Sequence, residues 1–163
     1  DPQPSQKMFD SRVWDRLRRL DPSRPVFVEA ESRKIGQLQL PEVLLERMRA
    51  SACVRLEVPV EARVRFLIEQ YGHFLDEPAH LKAKLACLRN LYGSEVVGRW
   101  TAQVDAGEWR ALVTDLLVHH YDPAYRRSTL RNYSGSADPP LLRLPELSAR
   151  SFGEAADGLL ANR

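Results

Sequence analysis

Val26-Phe27-Val28 is a continuous apolar run closing on Glu29, and it constrains the fold more than any other stretch of the chain. A strand apolar on both faces belongs inside a covered parallel sheet, because a sheet with one wet face alternates apolar and polar residues. Pro25 introduces the run, and the polar stretch Glu29-Ala30-Glu31-Ser32-Arg33-Lys34-Ile35-Gly36 follows it. Ligands of open α/β sheets bind beyond the carboxyl ends of the strands, so this loop is where a site is expected. Cys53 to Val58 alternates instead, with Val54, Leu56 and Val58 on one face and Arg55 and Glu57 on the other. That pattern predicts a half-buried strand.

Elsewhere the periodicity is helical. Phe9, Val13, Trp14, Leu17 and Leu20 predict a helix capped by Asp10 or Ser11 and ended by Asp21-Pro22. Leu40-Pro41 opens a second, running to about Arg49 with proline in its first turn. From Pro59, a stripe of Val60, Val64, Leu67, Ile68, Tyr71 and Leu75 marks a third, and Phe66 and Phe74 fall away from it toward a second layer. Leu81, Leu85, Leu88 and Tyr92 stripe the next helix, which Gly93 ends. Val96, Trp100 and Val104 mark another, ending near Gly107; Trp109, Leu112, Val113, Leu116, Leu117 and His120 mark one more, which Asp122-Pro123 breaks. Ser134 to Pro140 is a loop by composition, Leu141 to Leu144 a last strand, and Ser151 to Ala161 a terminal helix. Strand and helix alternate at both ends of a helical insertion, which predicts a helix-rich α/β fold with a few parallel strands. The expected partition is 1–58 as α/β core, 59–133 as a helical lid or insertion, and 134–163 as last strand and terminal helix.

Composition excludes several classes. The 163 residues are 44% hydrophobic and 28% charged, which describes a folded chain with one core of ordinary size. No apolar run approaches the roughly 20 residues of a membrane span, and no signal-peptide core opens the chain. A net charge of +2 argues against a protein wrapped globally around nucleic acid. Of the 24 basic residues, 20 are arginine, which fits either host base composition or bidentate phosphate recognition. Cys53 and Cys87 stand apart with no ligand spacing, so no zinc site is expected but two buried thiols in a reduced, cytoplasmic protein. Asp1 to Gln6 reads as a linker cut from something longer.

A phosphate-binding loop needs GxxxxGK[ST], in which backbone N–H groups, a lysine and a hydroxyl surround the phosphates. The only glycine pair near that spacing, Gly93 and Gly98, is followed by Arg99-Trp100, so the motif is missing. Val26 to Ser32 does have the Walker B form, an apolar strand ending in an acid. Glu29 there can hold Mg²⁺ through water or act as a base. Arg33 and Lys34 suit a diphosphate or an RNA phosphate, or equally a solvated loop paired with Glu29 and Glu31. Arg63 and Arg65 flank the stripe of the Pro59–Leu75 helix, either as lid arginines or as snorkelling surface residues. His119-His120-Tyr121-Asp122 sits in a last helical turn, where the helix dipole favours cations, and nothing completes a triad or a metal set. Tyr125, Arg126, Arg127, Ser128 and Arg131 form a basic and aromatic cluster that can stack bases and hold phosphate, or cap the preceding helix.

Three blocks, Gln3 to Ser11 (QPSQKMFDS), Asp21 to Gly36 (DPSRPVFVEAESRKIG) and Leu117 to Ser128 (LVHHYDPAYRRS), resemble the tRNA 2-selenouridine synthase family. The resemblance covers roughly Gln3 to Arg131. It implies an incomplete P-loop nucleotide-kinase-like domain, whose Walker A loop and preceding rhodanese domain belong to upstream segments of the same protein. It further implies conversion of wobble 2-thiouridine in tRNA to 2-selenouridine through S-geranyl-2-thiouridine, from geranyl diphosphate and selenophosphate. No covalently bound cofactor is implied, and Mg²⁺ is compatible. Under it Glu29 and Glu31 become catalytic candidates, and Ser32, Arg33, Lys34 and Arg63 line the diphosphate. His120, Tyr121, Tyr125, Arg126, Arg127 and Ser128 then face tRNA. Two other readings fit the residues: a nucleotide-kinase-like phosphotransferase fragment, and a non-catalytic tRNA-docking module.

Overall fold

The computed structural model describes residues 2–30, 33–72, 77–133 and 138–161. Its contacts separate residues 1–54 with 127–140 from residues 55–126 with 141–163.

In the first unit, Ser5 is extended and its hydroxyl accepts a hydrogen bond from the Met8 N–H at 3.3 Å. This N-cap starts helix α1 at Gln6, ahead of the expected Asp10 or Ser11, and α1 runs to Leu17. Residues 3–6 are therefore no slack linker. The Arg18 guanidinium lies 5.1 Å from the centroid of the exposed Trp14 ring, a cation–π contact.

The expected strand Val26–Glu29 is not formed. Those residues carry no ladder, and Val26, Phe27 and Val28 are 53, 56 and 56% exposed. A covered parallel strand needs hydrogen-bonded neighbours and apolar layers on both faces, and no described segment supplies them.

The loop beyond instead ends in a hairpin, β1 (Lys34–Ile35) and β2 (Leu38–Gln39), paired antiparallel with Ile35 opposite Leu38. Its two-residue turn has Gly36 at φ +63° and Gln37 at negative φ, the type II′ arrangement that follows strand twist. Helix α2 (Glu42–Arg49) follows with Pro41 at its N-cap, Glu42 in the first turn and Arg47 and Arg49 in the last, as the helix dipole favours. Leu38, Leu45 and Tyr133 are this unit's buried apolar side chains.

The second unit begins with β3 (Arg55–Glu57), which pairs in parallel with β4 (Leu141–Arg143). The ladder is extended by Leu144 N–H donating to Glu57 O at 2.9 Å and braced by Arg143 to Glu57 across the strands. A fold with a few parallel strands was expected, and this pair is parallel, though nothing in the pattern named these two segments as partners. The expected half-buried face is not formed, with Leu56 54% exposed. Between the two strands lie α3 (Val60–Gln70), α4 (Pro78–Ala86), α5 (Arg89–Asp105) and α6 (Trp109–Leu116). A π-helical turn, Leu117–Tyr121, leads into α7 (Asp122–Asn132), and α8 (Ala149–Ala161) closes the chain.

Gly93 breaks α5 with φ +83° and ψ 168°, which a side chain does not tolerate, but the helix resumes at once. At its far end Gly107 adopts φ +68°, its N–H bonded to Val104 O and that of Glu108 to Gln103 O. That is a Schellman stop.

Most of the core follows the stripes, with Leu85, Trp100, Val104 and Leu112 buried and Leu81, Leu88, Tyr92, Trp109 and Leu116 packed against them. Val97, however, is buried where the stripe named its neighbour Val96, which only flanks the cluster. Trp100 is fully buried, and its indole N–H has no partner among the described residues. Burying an indole, on the order of 200 Å² at about 25 cal/mol per Å², outweighs the roughly 1–3 kcal/mol of an unmet donor. The thiols depart from expectation, Cys53 being half-buried and Cys87 exposed. Cys87 caps α4 one residue short of Leu88 and so falls off the apolar stripe. No described helix is long and apolar enough to cross a membrane.

Replacing Leu112, 1% exposed, by alanine is expected to cost roughly 2–5 kcal/mol in urea unfolding. Val43→Ala, at a site 79% exposed, should stay within about 0.5 kcal/mol of the parent.

Candidate functional site

Each group of sequence-predicted residues is divided between the units, Arg63 belonging to the second and Arg127 and Ser128 to the first. In the first, Glu29, Arg33 and Lys34 are all exposed, and Glu31 and Ser32 lie outside the described residues. Arg33 stands at the base of the hairpin, its carbonyl accepting from Leu40 N–H at 2.9 Å, and Lys34 opposes Gln39 in β1. The two cations are thus held on paired backbone.

What holds that backbone is the opening segment. The Gln3 side-chain amide donates to Ile35 O at 2.8 Å and accepts from Gln37 N–H at 3.0 Å. Gln6 does the same at one residue, donating to Gln39 O at 2.8 Å and accepting from its N–H at 2.9 Å. Both amides satisfy backbone groups that an edge would leave to water.

In the second unit, the helix that Asp122-Pro123 was expected to break passes through the proline on a π turn. The Asp122 N–H reaches back to Leu117 O, five residues away. Pro123 has no N–H to offer the preceding turn, and the Tyr92 hydroxyl lies 3.3 Å from the His119 carbonyl it leaves open. The same hydroxyl is 2.8 Å from His120 Nδ1. A phenol has one hydrogen, so donation to His119 O requires His120 Nδ1–H to donate to the phenol oxygen. Edge-to-face contacts continue from buried Trp100 to Tyr92 (5.3 Å), to His120 (5.5 Å) and to Tyr121 (4.8 Å).

Arg63 from α3 grips Asp122 through two hydrogen bonds of 3.0 and 2.6 Å. Asp122 opens α7, where a carboxylate also meets the positive end of the helix dipole. Arg63 is therefore engaged with the chain itself. Beyond this clasp, Tyr121 and Tyr125 stand four residues apart on one helical face, 58 and 54% exposed, with Arg126 exposed beside them. Arg127 and Ser128 are exposed further along α7, in the other unit's share of the helix. An open groove of about 460 Å³ lies at the carboxyl end of the parallel pair, lined by Glu57, Pro59, Arg143, Leu144 and Pro145. Among the described residues no three His, Cys, Asp or Glu side chains gather as a metal site.

The family model described as the tRNA 2-selenouridine synthase AAA domain matches residues 1–88, which include Glu29, Arg33, Lys34 and Arg63. The chain belongs to the tRNA 2-selenouridine synthase family. The tRNA 2-selenouridine synthase of Cupriavidus pinatubonensis is 36% identical, over 76% of this chain and 42% of its own length. That of Cupriavidus necator is 30% identical, over 76% of this chain and 41% of its own. The chain thus spans less than half the length of these synthases. No solved structure matches it.

Sequence reading missed Gln3, Gln6 and Tyr92. The glutamines fall within the family block Gln3 to Ser11, but their residue type gives no hint of this role, since an amide can face water anywhere, and Tyr92 reads simply as one more residue of an apolar stripe.

A double-mutant cycle on Arg63→Ala and Asp122→Ala is expected to give a coupling on the order of 1 kcal/mol, the range of a half-exposed bidentate pair. Thermal or urea unfolding of the four proteins measures it.

Proposed function

We propose that this chain contributes part of the site of a cytoplasmic selenotransferase that converts wobble 2-thiouridine of tRNA to 2-selenouridine. The single observation carrying this reading is the family match over residues 1–88, the segment that bears the hairpin and its two cations. In the proposed route the thiouridine sulfur bonds to the first carbon of geranyl diphosphate as the carbon–oxygen bond breaks, and diphosphate leaves with the electron pair. The selenium of selenophosphate then bonds to the uridine C2 carbon as geranylthiol leaves, and water cleaves the Se–P bond to release phosphate.

Both donors are phosphorylated, so a kinase-like phosphate pocket can serve without transferring a phosphoryl group. Arg33 and Lys34 are suited to the charge that develops on departing diphosphate, an electrostatic role in which fixed cations act most strongly. Glu29 is assigned as a base or as a water-mediated Mg²⁺ anchor, and Glu31 and Ser32, assigned to the same site, fall outside the described residues. Arg63, held by Asp122, contributes by fixing the start of α7. The Walker A loop and the rhodanese domain are assigned to sequence that the longer synthases carry beyond the matched region. Residues 59–133 are assigned as the lid or insertion of a P-loop fold.

The face of α7 favours tRNA as the docked macromolecule. Exposed Tyr121 and Tyr125 offer stacking planes, and His120, Arg126, Arg127 and Ser128 offer donors to phosphate and base edges. Truncating a tyrosine that stacks a base is expected to cost about 1–3 kcal/mol of tRNA affinity. Arg126→Ala and Arg127→Ala should each lower the slope of log affinity against log salt by about 0.7–0.9. An unchanged slope would count against this face. With both donors and thiolated tRNA, the 163 residues alone are expected to show no turnover, and turnover by them would overturn the domain assignment.

A further inference from the structure

Two residues that no functional motif singles out hold the cationic loop in place. The hairpin has only two residues in each strand, and its strands pair only with each other. Its outer edge would be left to water, and a two-stranded ribbon of this length does not persist unaided. Gln6 bonds both backbone groups of Gln39 in β2, and Gln3 bonds Ile35 O at the end of β1 and the turn N–H of Gln37. Each presents one amide oxygen and one amide N–H, the donor–acceptor pair of a strand residue, and the four bonds fall between 2.8 and 3.0 Å. Ser5 between them caps α1, so the rigid start of a helix sets the position from which both glutamines reach. Gly36 completes the fit: a Cβ there would collide with the Gln3 amide.

We propose that Gln3 and Gln6 are positioning residues for the phosphorylated donor, setting the register of the hairpin and thereby the placement of Arg33 and Lys34 at its base. This rests on the reading of that loop as the donor site. The glutamines touch no substrate; they act through backbone. Losing one should misplace the cations by a fraction of an ångström to an ångström, and errors of that size cost up to about a hundredfold in enzymes.

The test uses the full-length protein with geranyl diphosphate and thiolated tRNA. In Gln3→Ala and Gln6→Ala, amide hydrogen exchange at Gln37 and Gln39 respectively should accelerate at least tenfold. KM for geranyl diphosphate should rise about tenfold, with KM for tRNA unchanged. Gln3→Glu, which keeps the size and the acceptor but removes the donor to Ile35 O, should reproduce the Gln3→Ala phenotype and guards against misfolding of either alanine variant. Gln6→Asn, a shorter amide, should recover little, because the reach is lost. Arg33→Ala is the reference. If it raises the donor KM while the glutamine variants change only hydrogen exchange, the positioning role is wrong and the site reading stands. If Arg33→Ala and Lys34→Ala leave the donor KM unchanged, the site reading falls and this proposal falls with it.

Discussion

A backbone edge must find donors and acceptors, and in the first unit it finds them in two side chains. Lys34 to Gln39 is too short to be a sheet, and its two strands exchange few hydrogen bonds. The Gln3 and Gln6 amides turn it into something nearer a three-stranded arrangement without a third strand. Each bond contributes only about 0.5–1.5 kcal/mol net, so what they confer is register more than stability. The segment Gln3 to Gln6 is thereby accounted for, with two edge partners, a helix cap and a proline that keeps the residue before it extended.

The second unit solves a similar problem by a different route. A proline in a continuing helix removes a donor and crowds the preceding turn, which costs about 3 kcal/mol when nothing compensates. Here the turn widens to a π turn, a phenol serves the exposed carbonyl, and an arginine from α3 clamps the residue before the proline. Tyr121 in the π turn and Tyr125 in α7 thus start from a point tied to the core through His120, Tyr92 and Trp100.

The helical core was legible because it depends on periodicity alone. Leu85, Trp100, Val104 and Leu112 are buried where their stripes put them, and Gly93 and Gly107 break the helices where a positive φ is required. The strands at Arg55–Glu57 and Leu141–Arg143 were also legible, though not that they pair with each other. The Val26–Glu29 strand was not, because an apolar run states what a segment can bury, not whether a neighbour is there to bury it. The side-chain clasps were equally hidden. Gln3 and Ile35, Arg63 and Asp122, and Tyr92 and His120 are far apart in sequence, and their residue types are unremarkable on any helix or loop. Candidate site residues were legible mainly through their family blocks, while the local chemistry alone left each of them divided between a surface role and a functional one.

Val26 to Val28 also bears on how the chain behaves in solution. Three consecutive apolar side chains, each more than half exposed, leave a contiguous stretch of apolar surface facing water. A net charge of +2 supplies little repulsion against that. The tripeptide is thus one of the places where this surface asks for apolar cover, beside Trp14, Val43 and Leu91.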